Sequence, residues 1–231
     1  MDQTALSCRN ETLRSILSRK SVRGFLARKV SATAIRTILQ AASRAPSGSN
    51  IQPWKVHVVS GQARDRLAAA LSGAYEQGTS EEREYTYYPV NWREPYLTRR
   101  RASGWGLYNA LGIKKGDRKK TKYQLGRNFV FFGAPVVFFI TIDKDMELGS
   151  WLDTGMFIQN ILISARSLGL HTCPQAAVVN YPSIVREHLS IPQNQTLVCG
   201  ISLGYEDSGH PANQFSTTRI GIDEFTVFHA K

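Results

Sequence analysis

Ala45-Pro46-Ser47-Gly48-Ser49-Asn50-Ile51-Gln52-Pro53-Trp54 is the stretch of this 231-residue chain on which the reading of the fold turns. Two prolines bracket small and amide-bearing residues, immediately before a segment that alternates like a strand. Proline stiffens the backbone, Gly48 permits close approach, and Ser47 and Asn50 carry short hydrogen-bonding groups suited to a ligand. Trp54 has a ring large enough to anchor the segment in the adjoining core. The residues alone leave two readings open, a ligand-facing loop or a well-made helix-to-strand turn.

On its N-terminal side, Ser31 caps a helix in which Ile35, Ile38, Leu39 and Ala42 recur at helical spacing, and Pro46 ends that helix near Ala45. A shorter helix spans Glu11 to Arg19, with Leu13, Ile16 and Leu17 on one face. On its C-terminal side, Lys55 to Ser60 reads as a half-buried strand and Arg64 to Leu71 as a helix. Residues 73–126 then lose periodicity and read as an excursion of local helices and loops. Val136 to Ile142 is a buried strand. Trp151 to Leu168 is apolar nearly all round, which predicts a central helix buried on most sides, closed by Gly169. Ile184 to Leu189 reads as a short helix, Leu197 to Leu203 as an interior strand, and Phe225 to Phe228 as a last apolar stretch. Helices outnumber strands without alternating regularly, so the expected class is α+β in a single domain over residues 1–231.

Composition narrows the function. With 42% hydrophobic and 20% charged residues the chain is neither disordered nor a coiled coil. Residues 1–10 lack the apolar run of a signal peptide, and Phe129 to Ile142, broken by Gly133-Ala134-Pro135, is too short to span a bilayer. Cys8, Cys173 and Cys199 are scattered without a CxxC pair, which fits a reducing cytoplasm and gives no metal-site pattern. There is no GxGxxG after a strand, no P-loop, no HExxH and no GxSxG. The five histidines are isolated. No side chain is singled out as a catalytic nucleophile, so an enzymatic role would rest on a bound cofactor.

The formal net charge of +11 is uneven. Between Arg99 and Lys122 stand nine Lys/Arg and one acid, Asp117; the rest of the chain carries 20 bases against 17 acids. Such an excess points to an anionic partner. Two further constellations qualify the charge. Arg19-Lys20-Ser21-Val22-Arg23 puts three cations and a hydroxyl within five residues, enough to surround a dianion, or else to form a solvated basic helix end. Gly169-Leu170-His171-Thr172-Cys173-Pro174-Gln175-Ala176-Ala177 is either a simple connection or a run whose free backbone N–H groups can approach a flat polar heterocycle.

In order and spacing these three segments resemble the FMN-dependent nitroreductase family. The R-[RK]-S-x-R pattern, the APSxxNxQPW signature, and the Asp153-x-Gly155…Gln159-Asn160…Ala165…Gly169-Leu170 helix followed by Pro174-Gln175 all occur. Asn128-Phe129-Val130-Phe131-Phe132-Gly133-Ala134-Pro135 is similar to the nitrobenzoate-reductase subgroup. The resemblance implies a mainly antiparallel central sheet flanked by helices, and an intertwined homodimer with FMN at the subunit interface. It implies that Arg19, Lys20 and Ser21 bind the phosphate and ribityl end, with Arg23 nearer the ring's N1/O2 edge. Pro46, Ser47 and Asn50 would reach the cofactor from the partner chain, Pro174, Gln175, Ala176 and Ala177 would cover one face near N5, and Arg219 would be a late phosphate-binding arginine. Two departures stand out. Many relatives carry Glu-Gly within residues 175–177, and some carry Lys where this chain has Thr217. Asp153, on the central helix, either approaches the subunit interface or, the stronger reading, is an acid at the helix start near Ser150.

The implied chemistry is a ping-pong cycle in which NADPH or NADH reduces the flavin through N5 and a nitroaromatic or quinone acceptor then takes its place. Reductive dehalogenation and flavin destruction belong to the same scaffold. The excursion, with Tyr85, Tyr87, Tyr88, Trp92, Trp105 and Tyr108, would cover the active site. A basic anion- or nucleic-acid-binding protein is the competing class. No nucleic-acid-reading motif accompanies the charge, so the expected ligands of the basic segment are small anions, with neither nucleic acid nor membrane as a partner.

Overall fold

The computed structural model describes residues 10–229. Cys8 lies outside them. Four strands, β1 (Lys55–Ser60), β2 (Val136–Asp143), β3 (His171–Gln175) and β4 (Gln195–Gly204), form one sheet in the order β1-β2-β4-β3 with every neighbouring pair antiparallel. The helices are α1 (Glu11–Ser18), α2 (Ala32–Ala42), α3 (Gly61–Gln77), α4 (Tyr96–Ala110), α5 (Arg118–Gly126), α6 (Leu148–Ser167) and α7 (Pro182–Leu189).

The run Val-Val-Phe-Phe-Ile-Thr-Ile of β2 explains the layering. Side chains alternate across a strand, so a continuous apolar run needs cover on both faces. Val136, Phe138, Ile140 and Ile142 cluster with Ile38 of α2 and Phe157 and Ile161 of α6. Val137 and Phe139 cluster with Leu67 and Leu71 of α3 and Val185 of α7. The α+β class and the antiparallel sheet flanked by helices are as expected. Ser31 caps α2 as its sequence predicts, its Oγ accepting from the Ala34 N–H (3.1 Å). Gly169 closes α6 with φ 72°, a left-handed conformation that favours glycine.

Three expectations are corrected. His171–Gln175 is an edge strand, not a connection; Pro174 pairs opposite Ile201, and an edge tolerates its missing N–H. In α1 the buried residue is Ser15, while Ile16 and Leu17 of the expected apolar face are 40% and 56% exposed. In α6, Leu148, Leu152, Gly155 and Gln159 recur on one side of the helix and are exposed, with Leu148 at 84% and Leu152 at 70%. The chain therefore leaves Leu148 and Leu152 of its central helix uncovered. Within residues 73–126, α5 leans on α3, where the Tyr75 hydroxyl donates to the Lys122 carbonyl (2.9 Å), whereas α4 contains no buried residue.

Because Phe138 is fully buried between β2, α2 and α6, Phe138→Ala is expected to cost about 3–5 kcal/mol. Denaturant unfolding measures this, and an unchanged midpoint at unchanged slope would contradict the packing described.

Candidate functional site

The basic segment after α1 is irregular, yet several of its backbone N–H groups are paired to distant elements. The Val22 N–H donates to the Thr172 carbonyl (3.0 Å), Phe25 to Phe132 (3.3 Å) and Leu26 to Tyr205 (2.9 Å). Asn213, buried in the C-terminal segment, completes the arrangement. Its Oδ1 accepts from the Arg23 N–H (2.7 Å), its Nδ2 donates to the carbonyls of Gly24 and Asp207 (both 2.8 Å), and its own carbonyl accepts from Lys20 Nζ (2.7 Å). Gly24 is needed at this junction, since a Cβ there would stand 2.3 Å from the His210 ring.

Arg19, Lys20, Ser21 and Arg23 thereby line one cavity of about 660 Å³, joined by Arg219 and by Ile16 and Leu17 of α1. Lys20 pairs with Glu206 (2.7 Å), whose other oxygen meets His171 Nε2 (3.2 Å). Burial, and then the Arg219 guanidinium, hold the pKa of Arg19 below its ordinary value. Arg219 is turned by the Thr217 hydroxyl (2.7 Å) and the Thr218 carbonyl (2.8 Å). Among the described residues no carboxylate lies within ion-pair distance of Arg19, Arg23 or Arg219. A half-buried Arg19 and an exposed Arg219 thus form a like-charged pair, and a multivalent oxyanion between them would turn that repulsion into paired attraction.

A second cavity of about 560 Å³ lies at the far end of β3. Pro174, Gln175 and Ala176 line it together with Trp151 and Ile158 of α6, Val198 and Cys199 of β4, and Tyr85 and Tyr87 of the excursion. The Gln175 side chain turns away into the interior, where Nε2 donates to the Asn128 carbonyl (2.8 Å) and Oε1 accepts from the Ser202 hydroxyl. A ligand here meets backbone and ring faces. Ala177 packs toward the α3/α7 cluster. Burial pushes the thiols of Cys173 and Cys199 up to about 11 and about 12, so neither is a thiolate at neutral pH.

The excursion enters this wall for a backbone reason. The β2–β4 ladder slips between Ile140 and Thr141, so Val198 is passed over, and β3 ends opposite Gly200. Beyond that point Glu84 accepts from the Leu197 N–H (2.7 Å) and the Tyr85 hydroxyl donates to the Val198 carbonyl (2.5 Å). Glu84 also pairs with the buried Arg186, which donates to the carbonyls of Pro192 and Gln195. Burial raises the Tyr85 phenol well above its usual range, so it remains a donor, with its ring 4.7 Å from that of Trp151.

The Pro46-to-Pro53 loop is strained. Ser49, Asn50 and Gln52 have φ of 49°, 57° and 51°. It is held by the Gly48 N–H donating to Asp153 (3.0 Å), by the Gln52 N–H donating to the Ser47 hydroxyl (3.0 Å), and by the Trp54 ring stacked on Phe157 at 4.7 Å. Asp153 is therefore not a helix-start acid. The helix begins five residues earlier, and its buried carboxylate anchors the loop. Pro46 and Asn50 are exposed, and no residue of the loop lines either cavity. The chain brings together Arg19, Lys20, Ser21, Arg23 and Arg219, sets Pro174 to Ala176 beside them along β3, and points Pro46, Ser47 and Asn50 elsewhere. Sequence reasoning missed Asn213, Glu206, Glu84 and Arg186, whose partners lie far away along the chain.

The family model described as "Nitroreductase family" matches residues 16–205. The chain is 41% identical to a 4-nitrobenzoate reductase of Nocardioides sp. (strain LMS-CY) over 92% of its length and 87% of the relative's. It is 38% identical to a nitrobenzene nitroreductase of Ectopseudomonas oleovorans, covering 92% and 94%. The crystal structure of the FMN-dependent nitroreductase NfnB from Mycobacterium smegmatis in complex with NADPH superposes with a TM-score of 0.91 at 32% identity, covering 98% of this chain and 100% of that one.

Asn213→Ala would leave one donor, the Arg23 N–H, and two acceptors, the Gly24 and Asp207 carbonyls, without their partner. The expected loss is roughly 2–4 kcal/mol in denaturant unfolding. A change within about 0.5 kcal/mol, the range of an ordinary surface substitution, would remove Asn213 from the account.

Proposed function

The chain belongs to the nitroreductase family, and we propose that it is an FMN-dependent oxidoreductase that draws on NADPH or NADH to reduce small nitroaromatic compounds. The observation that carries this reading is the half-buried Arg19 facing Arg219 without a carboxylate, next to an apolar cavity walled by aromatic rings and backbone. The first cavity suits a phosphate monoester and the second suits a planar heterocycle. β3 borders both, since the Val22 N–H meets Thr172 only two residues before Pro174.

Arg19, Ser21 and Arg219 would hold the phosphate of FMN, with Lys20 and Arg23 flanking it. Bound FMN supplies two-electron chemistry between nicotinamide and acceptor. The protein's own contribution is positioning and fixed charge. Arg23, whose N–H is clamped by Asn213, keeps a further cation in the first cavity. The Pro174-to-Ala176 turn offers backbone groups, and Tyr85, Tyr87 and Trp151 exclude water and present faces to an aromatic ring. One apolar cavity serving reductant and acceptor in turn corresponds to a ping-pong order, and quinones are planar acceptors of suitable shape. The names of the 4-nitrobenzoate and nitrobenzene relatives support the nitroaromatic class.

The active form in this reading is a homodimer. The exposed stripe of Leu148 and Leu152, together with exposed Ile222, Phe225, Val227 and Phe228, is apolar surface suited to a second copy, whose Pro46, Ser47 and Asn50 would complete each site. Among the described residues no helix is long and apolar enough to cross a membrane. A cytoplasmic location, where nicotinamide reductants are available, belongs to the same reading.

Purified protein is expected to bind FMN and to oxidise NADPH when nitrobenzene or 4-nitrobenzoate is supplied. Protein that takes up no FMN would contradict the proposal. Arg219→Gln is expected to weaken FMN binding roughly tenfold or more, read by flavin fluorescence, without lowering the melting temperature of the FMN-free protein, because it removes a like charge from Arg19. Destabilisation with unchanged FMN affinity would make Arg219 a structural residue only.

A further inference from the structure

Of the nine cations between Arg99 and Lys122, only Arg99 lines one of the described cavities. Lys122 and Lys120 pair with Glu76 and Asp117, and Arg100 lies 4.7 Å from the centroid of the Trp92 ring. Arg99 borders a third cavity, of about 740 Å³, between α4 and residues 215–224. The wall dividing it from the Arg19 cavity is formed by Phe215, Ser216, Thr217 and Arg219, which line both. Phe215 fixes the position of α4, since Gly106 comes so close that a Cβ would stand 2.2 Å from its ring.

The chemistry of this third cavity is that of a phosphate site. Arg99 and Arg219 face it, along with the hydroxyl-bearing Thr98 and Ser103. Its one carboxylate, Glu224, already accepts from the Gly221 N–H (2.9 Å). Among the described residues Arg99 has no ion-pair partner, and its guanidinium lies only loosely over Tyr96, at 5.9 Å. A phosphate monoester carries close to two negative charges at neutral pH and matches the paired donors of a guanidinium.

Resting on the reading of the protein as a nicotinamide-dependent flavoenzyme, we infer that this cavity receives the nucleotide end of the reductant and that Arg99 binds its 2′-phosphate, making Arg99 the residue that favours NADPH over NADH. The lysines of the basic segment take no part. A general field would treat all nine cations alike, whereas this site singles out one.

The test compares Arg99→Gln with Arg101→Gln, which removes the same charge from the same helix but not from the cavity. FMN-loaded protein is assayed for kcat/KM with NADPH and with NADH, and 2′,5′-ADP and 5′-AMP are titrated calorimetrically. Arg99→Gln is expected to lower the NADPH-over-NADH ratio roughly tenfold or more, and to weaken 2′,5′-ADP by a similar factor with little change for 5′-AMP. Arg101→Gln should leave the ratio in place. An unchanged ratio and 2′,5′-ADP affinity in Arg99→Gln would overturn the inference, as would an equal loss in Arg101→Gln. Wild-type protein inactive with both reductants would instead overturn the flavoenzyme reading, and 2′,5′-ADP binding would still decide the anion site.

Discussion

The hydrogen bond from the Val22 N–H to the Thr172 carbonyl, with Asn213 holding the adjoining Arg23 N–H and Gly24 carbonyl, is the interaction on which the rest of the site depends. Arg19 and Arg219 repel each other, and burial adds to the cost of the Arg19 charge. Left to electrostatics, an irregular segment carrying such charges would swing into solvent. Backbone pairing to an edge strand, and a buried amide with all of its hydrogen-bonding groups engaged, keep it in place. The backbone that carries the basic cluster is therefore held before an anion arrives, and that part of the ordering cost is already met.

The second cavity follows the same logic in a different element. A slipped ladder and a short β3 expose the Leu197 N–H and the Val198 carbonyl, which cannot be left unpaired in a buried setting. Glu84 and Tyr85 satisfy them, and Arg186 neutralises Glu84. An irregular excursion thus acquires one rigid stretch where it borders the cavity, while α4, with no buried residue, stays outside the core.

Much of this could be read from sequence because it is local. The Ser31 cap, the Pro46 break, the extent of β1 and the apolar run of β2 depend on neighbours within a few residues, and they appear where expected. The basic cluster and Arg219, some 200 residues apart, line one cavity. What escaped depends on distant partners. β3 is five residues with an internal proline, too short and too irregular to alternate. Asp153 looks like a helix-start acid until Gly48 is seen to donate to it. Glu84, Arg186 and Asn213 are ordinary polar residues in sequence, and only the fold shows that each satisfies buried backbone. The exposed stripe on α6 is the converse case: its apolar residues predict burial, and a single chain does not provide it.

That uncovered stripe, and a strained loop that lines neither cavity, support the proposal that each site is assembled from the basic segment of one protomer and the Pro46-to-Asn50 loop of its partner. Co-expressing an Arg19→Ala chain with an Asn50→Ala chain under separable tags isolates the mixed dimer. One of its sites then carries both substitutions and the other carries neither. FMN stoichiometry measured on that species by absorbance titration is the direct test. The account predicts one FMN per mixed dimer at wild-type affinity, although each parental homodimer binds weakly. Two equally weakened sites in the mixed dimer would mean that both elements act from the same chain, and would contradict it.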